Sequence, residues 1–265
     1  LDFIYNKCNG NLAIWKECLS PIWHNYFAGC IPNFIDPSLF TKSCDSSQYD
    51  PTWIQEQDPA VLGATYGCHP HFATAGKDLS FKQLLLAIGE CGIDYMRSES
   101  DPKVQKEVFM TQLSLAKAYE LPIVIHCRSG PRGTLNAEET CLEALDEEIS
   151  RFHNIHRHCF TENWDVALKW LRRFSNVYFG FTSVISSWEH NDKEKYEVLK
   201  RLPLEYILLE TDAPYFRPNQ VCFSDGIMPN EHAVELTRAK NINVNRVIEV
   251  TTYNARHLYG LPTYE

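Results

Sequence analysis

The sequence predicts an α/β fold, a distorted parallel (β/α)8 barrel whose first strand is missing or truncated. Three observations predict it. Seven short apolar or β-branched runs recur along the chain, and segments with helical spacing of apolar residues separate most of them. Four of the positions that follow these runs carry residues suited to hold a metal ion: Glu90, His126, His158 and Asp212. The C-terminal ends of the strands are where a parallel barrel keeps its chemistry. The length, 265 residues, is close to that of one such barrel. No Gly/Ser/Pro-rich linker, composition break or repeat divides the chain, so residues 1–265 read as a single domain.

The candidate strands are residues 27–35, 61–66, 84–89, 123–125, 155–160, 177–181 and 206–209. Bounded apolar runs of this length suit strands buried on both faces. Pro102 opens a helical pattern through Glu120, with Val104, Val108 and Leu115 at roughly helical spacing. Residues 136–152 place Leu142, Leu145, Ile149 and Phe152 on one stripe, and residues 163–174 do the same with Ala167, Trp170, Leu171 and Phe174. Residues 189–201 and 231–240 read as more polar helices, and residues 244–259 as a last one stopped by Gly260 and Pro262. Seven strands are one short of a closed barrel, and the missing strand is expected before Leu1. Between Pro70 and Gly89 a loop, a helix and a strand must share fewer than 20 residues. That is near the lower limit for a crossover, so only a short helix around residues 79–85 is expected.

Hydrophobic residues make up 44% of the chain, which fits a globular protein and excludes a disordered one. The net charge of −9 argues against broad basic binding to nucleic acid or to acidic membranes. A nucleic-acid substrate stays open, because divalent cations and a few Arg or Lys can carry phosphates locally. No apolar run approaches the ~20 residues that cross a bilayer, and no secretory leader is visible. The ten cysteines lack any C-x-x-C pair and read as free thiols of an intracellular protein, in the nucleus or the cytoplasm. Cys91, Cys127 and Cys159 each follow a candidate ligand and read best as small buried side chains on the opposite strand face.

Each candidate has two readings when taken alone. Glu90 is a carboxylate ligand or a strand-end Glu that caps or pairs with Arg; Gly92 after it allows close backbone approach. His126 is a ligand with Arg128 in phase beside it for a phosphate, or a satisfied core histidine. His156 and His158 alternate in phase; the deeper His158 is preferred as the ligand, and His156 reads as structural. Asp212 is a ligand that also orients or deprotonates water, with Glu210 in phase as support. His69 and His71 flank Pro70 at a strand exit, as substrate contacts or as an exposed loop. Tyr95 and Tyr215 are the loop aromatics singled out to stack on bases. The four ligand-type residues gain weight together, because they follow successive strands in register.

In combination, these segments resemble the TatD family of metal-dependent nucleases. The matching pieces are Gly67-Cys68-His69-Pro70-His71, Gly89-Glu90-Cys91-Gly92-Ile93-Asp94-Tyr95, Ile125-His126-Cys127-Arg128, His158-Cys159-Phe160-Thr161 and Glu210-Thr211-Asp212-Ala213-Pro214. They occur in the family's order, and Asn254-Ala255-Arg256-His257-Leu258-Tyr259-Gly260 is similar to its closing helix. The His-Arg-His-Cys-Phe and Phe-x-Gly-Cys-Ile details resemble a metazoan branch. The resemblance implies a distorted TIM barrel of the metal-dependent hydrolase superfamily. It also implies one to three ions of the Mg²⁺ or Mn²⁺ type, with Zn²⁺ as an alternative. Glu90, His126, His158 and Asp212 would be the ligands, with Glu90 and Asp212 catalytic. His69, His71 and Arg128 would face phosphate; in the mechanism read from the residues, His69 or a second metal-bound water protonates the leaving oxygen. Many members carry an H-x-H motif followed by Leu-Asp on the first strand; this chain begins at Leu1-Asp2, so one metal position is in question.

The expected activity is hydrolysis of phosphodiester bonds by a metal-activated water, as a 3′–5′ exonuclease on single-stranded DNA or RNA. The acidic chain predicts weak binding to long duplexes, and a monomer with no membrane partner is expected. Two other readings stay open: an amidohydrolase-type enzyme on the same barrel, and a catalytically degenerate barrel that binds nucleic acid. Arg128 with His69 and His71 favours phosphate, and the absence of a Lys able to form a metal-bridging carbamate near Glu90 disfavours the amidohydrolase.

Overall fold

A computed structural model describes residues 29–37, 61–75, 85–97, 99–212 and 230–262. Among the described residues, seven parallel strands lie side by side in sequence order. They are β1 (Asn33–Phe34), β2 (Ala64–Tyr66), β3 (Leu85–Asp94), β4 (Ile123–Arg128), β5 (Ile155–Arg157), β6 (Val177–Phe181) and β7 (Ile207–Leu209). Each strand pairs with the next in parallel, which is the sheet of a parallel α/β barrel. Cys30 and Val61 extend the β1–β2 contact as a bridge.

Among the described residues, the helices between the strands are α1 (Pro102–Ala118), α2 (Ala137–Glu148), α3 (Trp164–Arg173), α4 (Trp188–Asn191) and α5 (Lys193–Arg201), and α6 (Asn230–Lys240) and α7 (Val244–Leu258) follow β7. Side-chain caps start several of them. Asp101 accepts from Lys103 N ahead of Pro102, Asn136 from Glu139 N, Asn163 from Val166 N, and Asn243 from Asn245 N. The core lies between sheet and helices. Ile123, Ile125, Ile155, Phe179 and Ile207 on the strands are fully buried in one cluster with Phe109, Leu113, Leu142, Trp170 and Val247 on the helices.

Several boundaries and one register differ from expectation; β4 runs on to Arg128, and β5 ends at Arg157 and not at Phe160. β3 does not stop at Gly89 but runs on to Asp94, so Glu90 stands inside the strand. The register of β3 against β4 slips between Ile88 and Cys91, an irregularity that apolar patterning does not display. The expected helix 189–201 is two helices, because Asp192 takes a non-helical conformation (φ −150°, ψ 84°) and caps α5 by accepting from Lys195 N. Ile149 leaves α2 in extended conformation, so Phe152, expected on its buried stripe, is exposed. The short helix expected at 79–85 lies outside the described residues except for Leu85, which opens β3.

Candidate metal centre

Two amides on α1 fix the strand exits that carry the centre. Gln105 Oε1 accepts from Asp94 N (2.8 Å) while its Nε2 donates to Asp94 O (3.1 Å). Gln112 treats Cys68 in the same way, at 2.7 and 3.1 Å, which holds the turn leading to His69. Gly92, in the left-handed region at φ 137°, pairs with His126 across β3 and β4; a β-carbon there would collide with His126 O. The sheet therefore brings Glu90 against His126.

Glu90 is the hub. Its Oε1 lies 2.7 Å from His126 Nδ1 and 3.6 Å from both His69 Nε2 and His158 Nε2. Its Oε2 accepts from Asn33 Nδ2 at 3.1 Å. Asp212 Oδ1 stands 3.6 Å from His158 Nε2, and Asp212 sits at φ 53°, a left-handed conformation that an Asp tolerates. The far nitrogens of the two candidate ligand imidazoles are both engaged by carboxylates. His126 Nε2 meets Asp94 Oδ2 at 3.1 Å, and His158 Nδ1 meets Glu210 Oε2 at 2.7 Å. For His158 the short Glu210 contact assigns the ring proton to Nδ1, whereas His126 meets a carboxylate through each nitrogen, most closely Glu90 through Nδ1. In the neutral His158 ring the Nε2 lone pair faces Glu90 Oε1, the oxygen that His126 Nδ1 also meets. Lone pairs and carboxylate oxygens facing one another repel unless a cation or protons lie between them. The donor set of imidazole nitrogen and carboxylate oxygen therefore fits a divalent ion.

Without an ion, protons compensate. Burial opposes charge on His158, but the carboxylates of Glu210, Glu90 and Asp212 raise its pKa well above the ordinary histidine range. Burial alone would raise Glu90, yet His158, His126 and His69 hold it well below the carboxylate range. The same balance depresses Glu210, through His158 and His156.

His69, Glu90 and His126 offer ligand atoms within 4.8 Å of one another. His69, however, accepts His71 N at Nδ1 (3.2 Å), so in the neutral ring Nε2 carries the hydrogen. Burial and the neighbouring His126 keep that ring neutral by lowering its pKa. As placed, His69 is a donor beside the centre and not a ligand. A second group, His156, His158 and Glu210, also lies within 4.8 Å. Glu210 is already committed there, since Oε1 accepts from Cys159 N and Oε2 faces both histidines. We read this group as support.

His71 Nε2 lies 3.1 Å from Asp94 Oδ2, and Arg128 Nη1 lies 3.6 Å from the same oxygen; both side chains are over one-third exposed, at the mouth of the centre. Tyr95 is not brought to the centre. One residue past Asp94, it takes the opposite strand face, and its hydroxyl meets Thr140 Oγ1 on α2 at 3.2 Å. Tyr215 lies outside the described residues. Sequence reasoning missed Asp94 and Asn33 as partners of the candidate ligands. Asp94 was accessible from strand phase, two residues beyond Gly92; an amide such as Asn33 carries no ligand signal. Burial raises the thiols of Cys91 and Cys127 well above the free-cysteine range and Cys159 to about 12, so none stands ready as a nucleophile.

A family model described as TatD related DNase matches residues 33–260. Human 3′-5′ RNA nuclease TATDN2 is 32% identical over 280 residues, covering 98% of this chain but 34% of that protein. The chain thus spans about a third of the length of this human relative. The 3′-5′ ssDNA/RNA exonuclease TatD of Cronobacter turicensis is 34% identical over 193 residues, covering 67% of this chain and 70% of that one. Among solved structures, the TatD homologue YJJV of Escherichia coli superposes with a TM-score of 0.68 at 20% identity, over 89% of this chain and 87% of the other. That likeness establishes the fold.

Proposed function

The chain belongs to the TatD-related DNase family, and on that premise we propose that it is a divalent-metal-dependent nuclease that removes nucleotides from the 3′ end of single-stranded DNA or RNA. The observation that carries this reading is the convergence of His126 Nδ1 and His158 Nε2 on Glu90 Oε1, with Asp212 alongside and Arg128 and His71 at the mouth. Glu90, His126, His158 and Asp212 would hold the cation, of the Mg²⁺ or Mn²⁺ type with Zn²⁺ as an alternative. A bound divalent cation supplies Lewis acidity toward a phosphoryl oxygen and makes water more acidic.

The chain's own residues do the rest. Asp212 is the most exposed of the four, with 28% of its side chain open, and is placed to orient water and take its proton. Arg128 offers its remaining N–H groups to a phosphate, because Asp94 touches it only at 3.6 Å. His69 Nε2–H is a donor for a phosphate or leaving oxygen. Tyr95, bonded to Thr140, receives no stacking role; Tyr215 keeps the proposed one. We further infer a single monomeric barrel domain in a reducing compartment, nucleus or cytoplasm, which the free thiols of the six described cysteines support. No described helix is long and apolar enough to cross a membrane.

End-labelled single-stranded DNA and RNA, incubated with Mg²⁺, Mn²⁺, Zn²⁺ or EDTA, test the reading. Cleavage should require the metal and fall at least about 100-fold in Glu90→Ala and Asp212→Ala, the scale of losing a group that acts in the transition state. Cutting that persists in EDTA, or in both variants, would overturn it. Binding without turnover in the unchanged chain would leave only a nucleic-acid-binding barrel.

A further inference from the structure

We propose that His156 and Tyr259 are positioning residues that act through Glu210 to fix the direction of the His158 ring, so that the closing helix α7 helps to aim a metal ligand. The inference rests on the reading of His158 as a ligand.

His156 and His158 lie two residues apart and share one side of the chain at the end of β5. His156 Nε2 stands 3.1 Å from Glu210 Oε2, the oxygen that also meets His158 Nδ1 at 2.7 Å. Its other nitrogen meets the Tyr259 hydroxyl at 2.7 Å. A continuous chain of polar contacts therefore runs Tyr259–His156–Glu210–His158 and ends at the Nε2 lone pair that faces Glu90 and Asp212. Both of its ends are held. Asn254 Nδ2, one turn before Tyr259, donates to Leu204 O (2.9 Å) and Ile207 O (2.8 Å) and ties α7 to β7. Cys159 N donates to Glu210 Oε1, so that carboxylate is gripped from both sides.

Gly180 on β6 makes the room. A β-carbon there would run into Glu210 Oε1, its carboxyl carbon and His156 Nε2. This sheet position is thus left without a side chain where the two buried groups meet. His156 is itself buried at 7% exposure, and its Nε2 lacks the alignment of a full hydrogen bond. It acts as a lateral stop on Glu210 and not as an independent cation site.

Positioning through a chain predicts a graded effect, which general loss of stability would not produce. Mn²⁺ binding to the full chain, followed by calorimetry, reads it without turnover. Affinity should fall about 10–100-fold in Glu210→Gln, the scale for partners that orient a ligand. It should fall about 10-fold in His156→Leu and a few-fold in Tyr259→Phe, with partial recovery in His156→Gln, which keeps a polar side chain beside Glu210. Tyr259→Phe keeps the ring packing, so it remains informative if a His156 variant fails to fold. Affinity within twofold of the unchanged chain in both Tyr259→Phe and His156→Leu, with circular dichroism showing native folding, would overturn the proposal. So would loss of one whole Mn²⁺ equivalent in His156→Leu, which would make His156 a ligand. If the unchanged chain binds Mn²⁺ in an Asp212-dependent way and shows the gradient but cuts no oligonucleotide, the nuclease reading fails and the positioning stands.

Discussion

Asp94 is fully buried at the end of β3, and five groups converge on its carboxylate. Oδ1 accepts from Met96 N (2.8 Å) and Arg97 N (2.9 Å), while Oδ2 faces His71, His126 and Arg128. Burial would raise its pKa, but the two histidines and the Arg97 amide hold it far below the carboxylate range, so it is charged at any working pH. A fixed negative charge behind His126 Nε2 holds that ring between Asp94 and Glu90. Asp94→Asn retains the shape, but with its oxygen still accepting from Met96 N and Arg97 N it presents an NH₂ to His126 in place of the charged oxygen. Turnover on a single-stranded oligonucleotide should fall about 10–100-fold at a temperature where circular dichroism shows the variant folded, and the melting temperature should fall as well; unchanged turnover would show that Asp94 only shapes its turn. The sequence displayed Glu90, His126, His158 and Asp212 because each follows an apolar run, although Glu90 and His126 lie inside their strands. Asp94 was hidden because the run stops at Gly89 while the strand continues through a register slip. Tyr95 was misplaced for the complementary reason: its residue type suits stacking, but strand phase one residue after Asp94 turns it toward α2.

At the scale of elements, β5 is joined to α2 and α3 by a buried charge pair. Arg157 is 1% exposed; it donates to Glu138 Oε1 at 2.6 Å, to Cys127 O at 2.8 Å and to His158 O. Trp170 Nε1 on α3 donates to the other Glu138 oxygen at 2.7 Å. One guanidinium therefore holds the carbonyls beside both His126 and His158 while α2 and α3 close over it. The apolar stripes of these helices were plain in the sequence, apart from Phe152. An arginine between two histidines gives no sign of pointing into a core, because burial of its charge depends on Glu138, 19 residues away. Arg157→Leu leaves Glu138 buried without its cation and should cost roughly 3–5 kcal/mol in urea unfolding. The double variant Arg157→Leu/Glu138→Leu should recover most of that loss, since an apolar pair of similar volume removes the stranded charge. A double variant no more stable than the single one would mean that the carbonyl contacts, and not the ion pair, hold these elements together.

For the whole molecule, the centre couples stability to both pH and metal, with opposite signs above neutrality. Without metal, the raised pKa of His158 contributes stability that is fully present below about 6.5, the unfolded-state value. That stability is lost as pH rises from there through the folded value, because folding must then take up a proton that the unfolded chain no longer carries. The depressed Glu90 and Glu210 contribute stability that is present above about 4.3 and lost as pH falls through their folded values. The metal-free protein should therefore be most stable in weak acid. A divalent cation must displace the His158 proton to reach its lone pair, so its binding strengthens as pH rises. At a hundredfold excess over the dissociation constant, the cation stabilises by about 2.7 kcal/mol. For a chain of this size that raises the melting temperature by roughly 5–10 °C. Thermal unfolding at pH 6, 7 and 8, in EDTA and in Mn²⁺, should show the EDTA curve falling and the gap between the two widening with pH. A gap that is constant or shrinks would mean that the cation does not compete with the His158 proton, and would remove His158 from the ligand set while leaving Glu90, His126 and Asp212 in it.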